Sequence, residues 1–104
     1  MQKIENMTAA GFPGAVRHGV VLVVFSADWC AHCMTQSRII DNMACQNRFP
    51  DTVRVAVVCI DEAPLIAEKL QIEAIPSQVV FRDGVEVRRH VGVADEAGLL
   101  ELLQ

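Results

Sequence analysis

The chain has 104 residues, of which 52% are hydrophobic and 21% are charged, and its net charge is −4. This apolar fraction is too high and this charge too low for an intrinsically disordered protein, and the length predicts one domain over residues 1–104. The acidic balance argues against nucleic-acid binding, and no apolar run approaches the roughly 20 residues needed to cross a membrane.

The first half of the chain predicts two buried strands joined by a helix. A short edge strand is expected near Lys3–Asn6, followed by an irregular helix from about Thr8. The stretch Val20–Phe25 is continuously apolar and Val53–Ile60 is nearly so, which is typical of strands buried on both faces. The segment between them, Cys33–Phe49, shows an apolar stripe at helical spacing. A strand, helix and strand of these lengths predict a parallel βαβ unit.

The second half predicts a helix, a hairpin and a last helix. The segment Asp61-Glu62-Ala63-Pro64 is typical of a helix start, because acidic side chains and Pro favour the first turn. An Asp-Gly pair in Arg82-Asp83-Gly84 predicts a hairpin between the strands Ser77–Phe81 and Val85–Val91. Asp95 is expected to cap the last helix. The order β-α-β-α-β-α-β-β-α predicts an α/β fold with a central mixed β-sheet flanked by helices on both faces.

Two cysteines separated by two residues directly follow the first buried strand, in the segment Trp29-Cys30-Ala31-His32-Cys33. A helix N-terminus offers unpaired N–H groups and about half a positive charge, both of which favour a thiolate at Cys30. Cys33 lies one helical turn further on, near the apolar stripe. We therefore expect Cys30 to lie open to solvent and Cys33 to be less exposed. The pattern predicts a redox pair in which Cys30 attacks and Cys33 resolves, with no diffusible cofactor.

A zinc site is the main alternative for this spacing, but a structural zinc ion needs two more ligands. Cys45 and Cys59 form no second Cys-x-x-Cys pair, and Cys59 falls in a predicted buried strand, where a small core residue is expected. His32 lies between the two cysteines and cannot easily turn to the same ion. We therefore predict no metal site, and a metal carrier using Cys30 and Cys33 is kept as an alternative.

Five segments along the chain resemble those of the thioredoxin family in order and spacing. They are Ser26 to Cys33, Ile60-Asp61, Ile75-Pro76, Phe81-Arg82-Asp83-Gly84 and Val91-Gly92. The resemblance covers essentially the whole chain and implies the thioredoxin fold. It also implies thiol–disulfide oxidoreductase activity on protein disulfide substrates, with a reductase or another redox partner.

The resemblance further implies a docking surface around Cys30. Pro76 is expected to be cis and to pack beside the disulfide, which would expose the backbone of Ile75 to an extended substrate segment. The residues expected to contact the substrate are Trp29, Ala31, Ile75, Pro76, Gly92 and Val93.

Three departures from the family pattern bear on the chemistry. Ala31-His32 stands where reducing thioredoxins have Gly-Pro, and a charged His32 would stabilise the thiolate and make the disulfide a stronger oxidant. Val24 and Val57 occupy the positions of a buried Asp and its Lys partner, so the usual internal base is missing. These departures leave a second hypothesis open, a redox-sensitive protein-binding module with weak catalytic activity.

The first residues, Met1 to Asn6, show no apolar segment of a secretory signal. A cytoplasmic location is therefore expected unless a leader has been removed. In the cytoplasm we expect the protein to reduce its substrates, whereas in an exported protein Ala31-His32 would favour an oxidising or isomerising role.

Overall fold

The computed structural model describes all 104 residues, with five strands and four helices in the predicted order. In chain order these elements are β1 (Ile4–Asn6), α1 (Phe12–Ala15), β2 (Val20–Ser26), α2 (Ala31–Cys45), β3 (Val53–Cys59), α3 (Pro64–Lys69), β4 (Ser77–Arg82), β5 (Val85–Val91) and α4 (Glu96–Leu102). The strands agree with the sequence prediction to within one residue at each end. None of the helices combines the length and the hydropathy required of a membrane span.

The strands form one mixed sheet in the order β1-β3-β2-β4-β5. The central strand, β2, is parallel to β3 and antiparallel to β4. At the edges, β1 pairs in parallel with β3, and β5 forms a hairpin with β4. Because β2 and β3 run in the same direction, their carboxyl ends lie at the same end of the sheet. The helix α2 begins at that end, shortly after β2.

Two apolar cores cover the two faces of this sheet. On one face, Phe25 of β2 packs in a cluster with Phe12 of α1. On the other face, Leu22 of β2 belongs to a cluster with Ile40 of α2 and Leu99 of α4. Successive side chains of a strand point to opposite faces, so a strand covered on both sides is apolar throughout. The predicted helices on both faces are confirmed.

The helix α2 differs from the prediction at both ends. The apolar pattern predicts residues 33–49, whereas α2 spans Ala31–Cys45. It begins earlier because Cys30 acts as its N-cap, so the helix includes both residues between the cysteines. It ends earlier because Asn47 has a positive φ of 56°, the left-handed conformation that closes many helices. Neither cause is visible in hydrophobic periodicity.

The first helix is shorter than expected. It begins at Phe12 rather than near Thr8, and it ends at Ala15. The expected first turn is instead a local turn, in which the N–H of Gly11 donates to Thr8 Oγ1 at 3.0 Å. A threonine side chain that bonds nearby backbone in this way competes with helix formation.

We expect Leu99→Ala to lower the free energy of unfolding by about 2–5 kcal/mol, because it leaves a cavity in a packed core. The matched control is Leu65→Ala on α3, where 77% of the side chain is exposed, against 0% for Leu99. The control should change the free energy of unfolding by less than about 0.5 kcal/mol. Urea denaturation followed by circular dichroism measures both, and equal effects would contradict the assigned core.

Candidate active site

Cys30 occupies the N-cap of α2, at the end of the connection from β2. Its backbone is extended, with φ −98° and ψ 113°. Its Sγ accepts a hydrogen bond from the backbone N–H of Cys33 at 3.1 Å. This position usually holds Ser, Thr, Asp or Asn, whose side-chain oxygen accepts from an unpaired N–H of the first turn. Here a sulfur takes that role, so it lies at the positive end of the helix dipole.

The two cysteine side chains pack together with Ala27 in a small cluster. Cys33 is 5% exposed and Cys30 is 8% exposed. The expected order of exposure is therefore found, but the expectation that Cys30 lies open to solvent is wrong. The reason is that Ile60 and Ile75 pack against the cluster from distant parts of the chain. Only a small part of Cys30 is therefore accessible from solvent.

Burial raises the pKa of the Cys33 thiol to about 11, and the neighbouring Cys30 side chain adds to this rise. A backbone hydrogen bond at Ala27 acts in the opposite direction, with a smaller effect than burial. At neutral pH, Cys33 consequently keeps its proton. It has to lose that proton before it can act as a nucleophile.

A cavity of about 30 Å³ lies beside Cys33 on the α2 side of the sheet. Val24, which is buried, and Val57, which is half-buried, form part of its wall. A cavity of this size holds about one water molecule. The polar side chains that line the same cavity are Ser26, Ser37 and Asp41. Cys33 is therefore bounded by valines where the family pattern has a charged pair, and polar groups line another part of the same cavity.

Trp29, Ala31 and His32 are exposed around the cysteine pair. The indole Nε1–H of Trp29 donates to Asp61 Oδ2 at 2.8 Å, which fixes a side chain that is 70% exposed. Trp29 lies in the segment after β2 and Asp61 in the segment after β3, so the hydrogen bond joins the ends of two neighbouring parallel strands. The His32 ring makes no hydrogen bond with another residue and faces solvent on the first turn of α2.

The segment before β4 forms the other side of the site. The Ile75–Pro76 peptide bond is cis, as the resemblance implies. Cys30 Sγ lies 3.9 Å from the carbonyl oxygen of Ile75. The N–H of Gly92 donates to the carbonyl oxygen of Pro76 at 2.8 Å, which brings the loop after β5 to the same place. Val93 follows on this loop and is 37% exposed.

Two buried glutamines lie near this site and are not predicted by the sequence patterns described above. Gln36 lies one turn after Cys33 on α2, and Gln78 lies two residues after Pro76 in β4. Both are 0% exposed, and they bond to each other and to the loop after β5. A signal was present, because Gln36 lies on the apolar stripe four residues before Ile40, and Gln78 interrupts an apolar strand.

The remaining two cysteines lie apart from the pair. Cys45 is the last residue of α2 and is exposed. Cys59 is half-buried, and the expectation of a buried core residue is wrong because it is the last residue of β3, at the end of the sheet. No group of three or more His, Cys, Asp or Glu side chains is arranged so that it could hold a metal ion.

The chain is similar to known thioredoxins in sequence. The thioredoxin family model matches residues 3–104. Thioredoxin of Chlamydia trachomatis is 31% identical over 100 residues, which cover 96% of this chain and 95% of that protein. Thioredoxin of Staphylococcus aureus is 32% identical over 100 residues, with 96% and 94% covered.

Solved structures agree with the sequence comparison. A mutant thioredoxin from Halobacterium salinarum has a TM-score of 0.84 at 27% identity, covering 96% of this chain and 87% of that one. Malassezia sympodialis thioredoxin shares the fold, with a TM-score of 0.85 at 24% identity over 100% of this chain and 91% of that one. The predicted fold and resemblance are confirmed, and the chain belongs to the thioredoxin family of thiol–disulfide oxidoreductases.

Proposed function

We propose that this protein exchanges its dithiol for disulfides in protein substrates, with Cys30 as the attacking thiol and Cys33 as the resolving thiol. The hydrogen bond from the Cys33 N–H to Cys30 Sγ is the observation that carries this assignment. A sulfur held at a helix N-terminus is favoured as the thiolate. The raised pKa of Cys33 keeps that residue as a thiol at neutral pH.

The proposed reaction moves two electrons from the protein to the substrate. The thiolate of Cys30 attacks one sulfur of the substrate disulfide, and the other substrate sulfur leaves as a thiolate that takes up a proton. Cys33 then loses its proton, and its Sγ attacks Cys30 Sγ in the mixed disulfide. The second substrate sulfur leaves, and a disulfide between Cys30 and Cys33 is formed. A reductant must return the two electrons before the next cycle.

Val24 and Val57 occupy the positions where the family pattern has a buried Asp and its Lys partner. No buried carboxylate at these positions can therefore receive the proton of Cys33. The departing substrate thiolate is one acceptor. The polar wall of the adjacent cavity, with Ser26, Ser37 and Asp41, offers a second route toward solvent. The resolving step, rather than the first attack, is therefore expected to limit turnover.

Substrate docking is assigned to the surface around Cys30. Exposed Trp29, held by Asp61, offers an apolar contact on one side of the sulfur. The backbone of Ile75, next to Cys30 Sγ, offers hydrogen-bonding groups to an extended segment on the other side. The full proposed surface consists of Trp29, Ala31, Ile75, Pro76, Gly92 and Val93.

Protein disulfides are the proposed substrates and a reductase is the proposed source of electrons, as thioredoxins in general use them. A cytoplasmic location fits the exposed thiol of Cys45, because the cytoplasm keeps such thiols reduced.

Reduction of insulin disulfides by dithiothreitol should be accelerated by the wild type. Cys30→Ser should abolish the acceleration, because the attacking thiol is lost. Pre-reduced Cys33→Ser, mixed with insulin in the absence of dithiothreitol, should accumulate as a mixed disulfide, visible by non-reducing electrophoresis, because no second thiol of the protein resolves it. The matched control, Cys45→Ser, should keep the wild-type rate. Activity surviving in Cys30→Ser would contradict the assignment, and an inactive wild type would favour the binding module.

Alkylation of the reduced protein should distinguish the two cysteines by pH. In a Cys45→Ser background, brief iodoacetamide treatment at neutral pH should label Cys30 and spare Cys33. Labelling of Cys33 should increase only as the pH approaches 11, because its raised pKa keeps the thiol protonated below that value. Tandem mass spectrometry locates the label. Equal labelling of both cysteines at neutral pH would show that the roles are wrongly assigned.

His32→Leu should lower the reduction potential of the pair, because a protonated imidazole near Cys30 stabilises the thiolate and hence the reduced form. Equilibration with glutathione buffers measures this, and each tenfold change in the equilibrium constant corresponds to about 30 mV. His18→Leu replaces an exposed histidine in the turn before β2 and should leave the potential unchanged. The same potential in both variants would refute the role given to His32.

A further inference from the structure

We propose that Gln36 and Gln78 are positioning residues that hold the loop of residues 92–94 in place for the docking of protein substrates. The inference rests on the proposed function, because it concerns how that site accepts a protein disulfide. The glutamines do not touch the reacting sulfurs. Their proposed role is therefore in the specificity for protein substrates rather than in the chemical step.

Gln36 binds both backbone polar groups of Ala94. The N–H of Ala94 donates to Gln36 Oε1 at 2.7 Å, and Gln36 Nε2 donates to the carbonyl oxygen of Ala94 at 3.0 Å. The amide side chain therefore pairs with the loop much as one strand residue pairs with its neighbour. Because Gln36 follows Cys33 by one turn, these hydrogen bonds connect the loop to α2, the helix that begins with the two redox cysteines.

Gln78 holds the same loop from the sheet. Its Nε2 donates to the carbonyl oxygen of Gly92 at 3.0 Å and to Gln36 Oε1 at 2.9 Å. The N–H of Gly92 donates to the carbonyl oxygen of Pro76, two residues before Gln78 in the chain. Both polar groups of the Gly92 backbone are thus held by β4 and the residue before it.

Packing of the core alone does not explain this network. Both side chains are 0% exposed, and Gln78 Oε1 has no hydrogen-bond partner. Apolar residues in place of the two glutamines would remove this unpaired oxygen, but they would leave backbone groups of Ala94 and Gly92 without their side-chain partners. The surrounding interface between α2 and the sheet is apolar and could accommodate such residues. Glutamines are favoured here because only their amides can direct the backbone of the loop.

The loop held in this way presents one residue to the outside. Ala94 is buried and Gly92 is half-buried, while Val93 between them is exposed. A protein substrate that reaches Cys30 passes this loop, whereas a small disulfide needs only the sulfur itself. Releasing the loop should therefore weaken the reaction with protein disulfides and spare the reaction with small ones.

The test compares Gln78→Met and Gln36→Met with the wild type, using pre-reduced protein and Trp29 fluorescence to follow its oxidation. The oxidants are insulin and a small aromatic disulfide, dithiobisnitrobenzoic acid. For insulin, the half-saturating concentration should rise about tenfold in Gln78→Met and further in Gln36→Met. For Gln78→Met, the maximal rate with insulin and the rate with the small disulfide should be unchanged. Gln46→Met, at the exposed end of α2, is the matched control and should match the wild type throughout.

An unchanged half-saturating concentration for insulin, or equal losses with both disulfides, would overturn the inference. Gln78→Met keeps every Gln36 contact with Ala94, so it carries the test even if Gln36→Met fails to fold. A wild type that reacts with neither disulfide would instead refute the proposed function itself. The two failures are therefore distinguishable.

Discussion

The hydrogen bond from the backbone N–H of Cys33 to Cys30 Sγ is the interaction on which the site depends. It begins α2, because the sulfur takes the capping role of a side-chain oxygen. It also places that sulfur at the positive end of the helix dipole and sets the second cysteine one turn away. The start of the helix and the chemistry of the pair therefore have a single structural origin.

The apolar core continues up to the site, and this sets the character of the second cysteine. Val24 and Val57 extend the core on the α2 face of the sheet to the cavity beside Cys33. An apolar wall avoids the cost of a buried charged pair, but it removes a proton acceptor from the interior. The raised pKa of Cys33 is the consequence of the same burial. The apolar wall therefore packs well beside Cys33 but makes the transfer of its proton more difficult.

Local sequence patterns determine much of this fold. The continuous apolar run of β2 follows from its central place between two cores, and the Asp83-Gly84 turn takes positive φ at both residues, as the hairpin requires. The cysteine spacing and its place after a buried strand indicated the redox pair. The cis peptide bond before Pro76 could be predicted only from the resemblance to a known family.

Contacts between distant residues account for what the sequence did not reveal. Ile60 and Ile75 enclose Cys30 from positions 30 and 45 residues further along the chain, so no local pattern predicts its burial. Gln36 and Gln78 meet across 42 residues, and each alone reads as an isolated polar residue in an apolar segment. The end of α2 has a different, local cause, because it depends on the backbone conformation of Asn47 rather than on hydrophobic periodicity.

Cys30 and Cys33 are proposed to interconvert between a dithiol and a disulfide as one unit. Peptide mapping of the wild type at both ends of a glutathione redox titration tests this most directly. We expect a single two-electron transition, with Cys30 linked to Cys33 in the oxidised protein and with Cys45 and Cys59 outside that linkage. Absence of a transition, or a disulfide joining one of the pair to another cysteine of the chain, would contradict it.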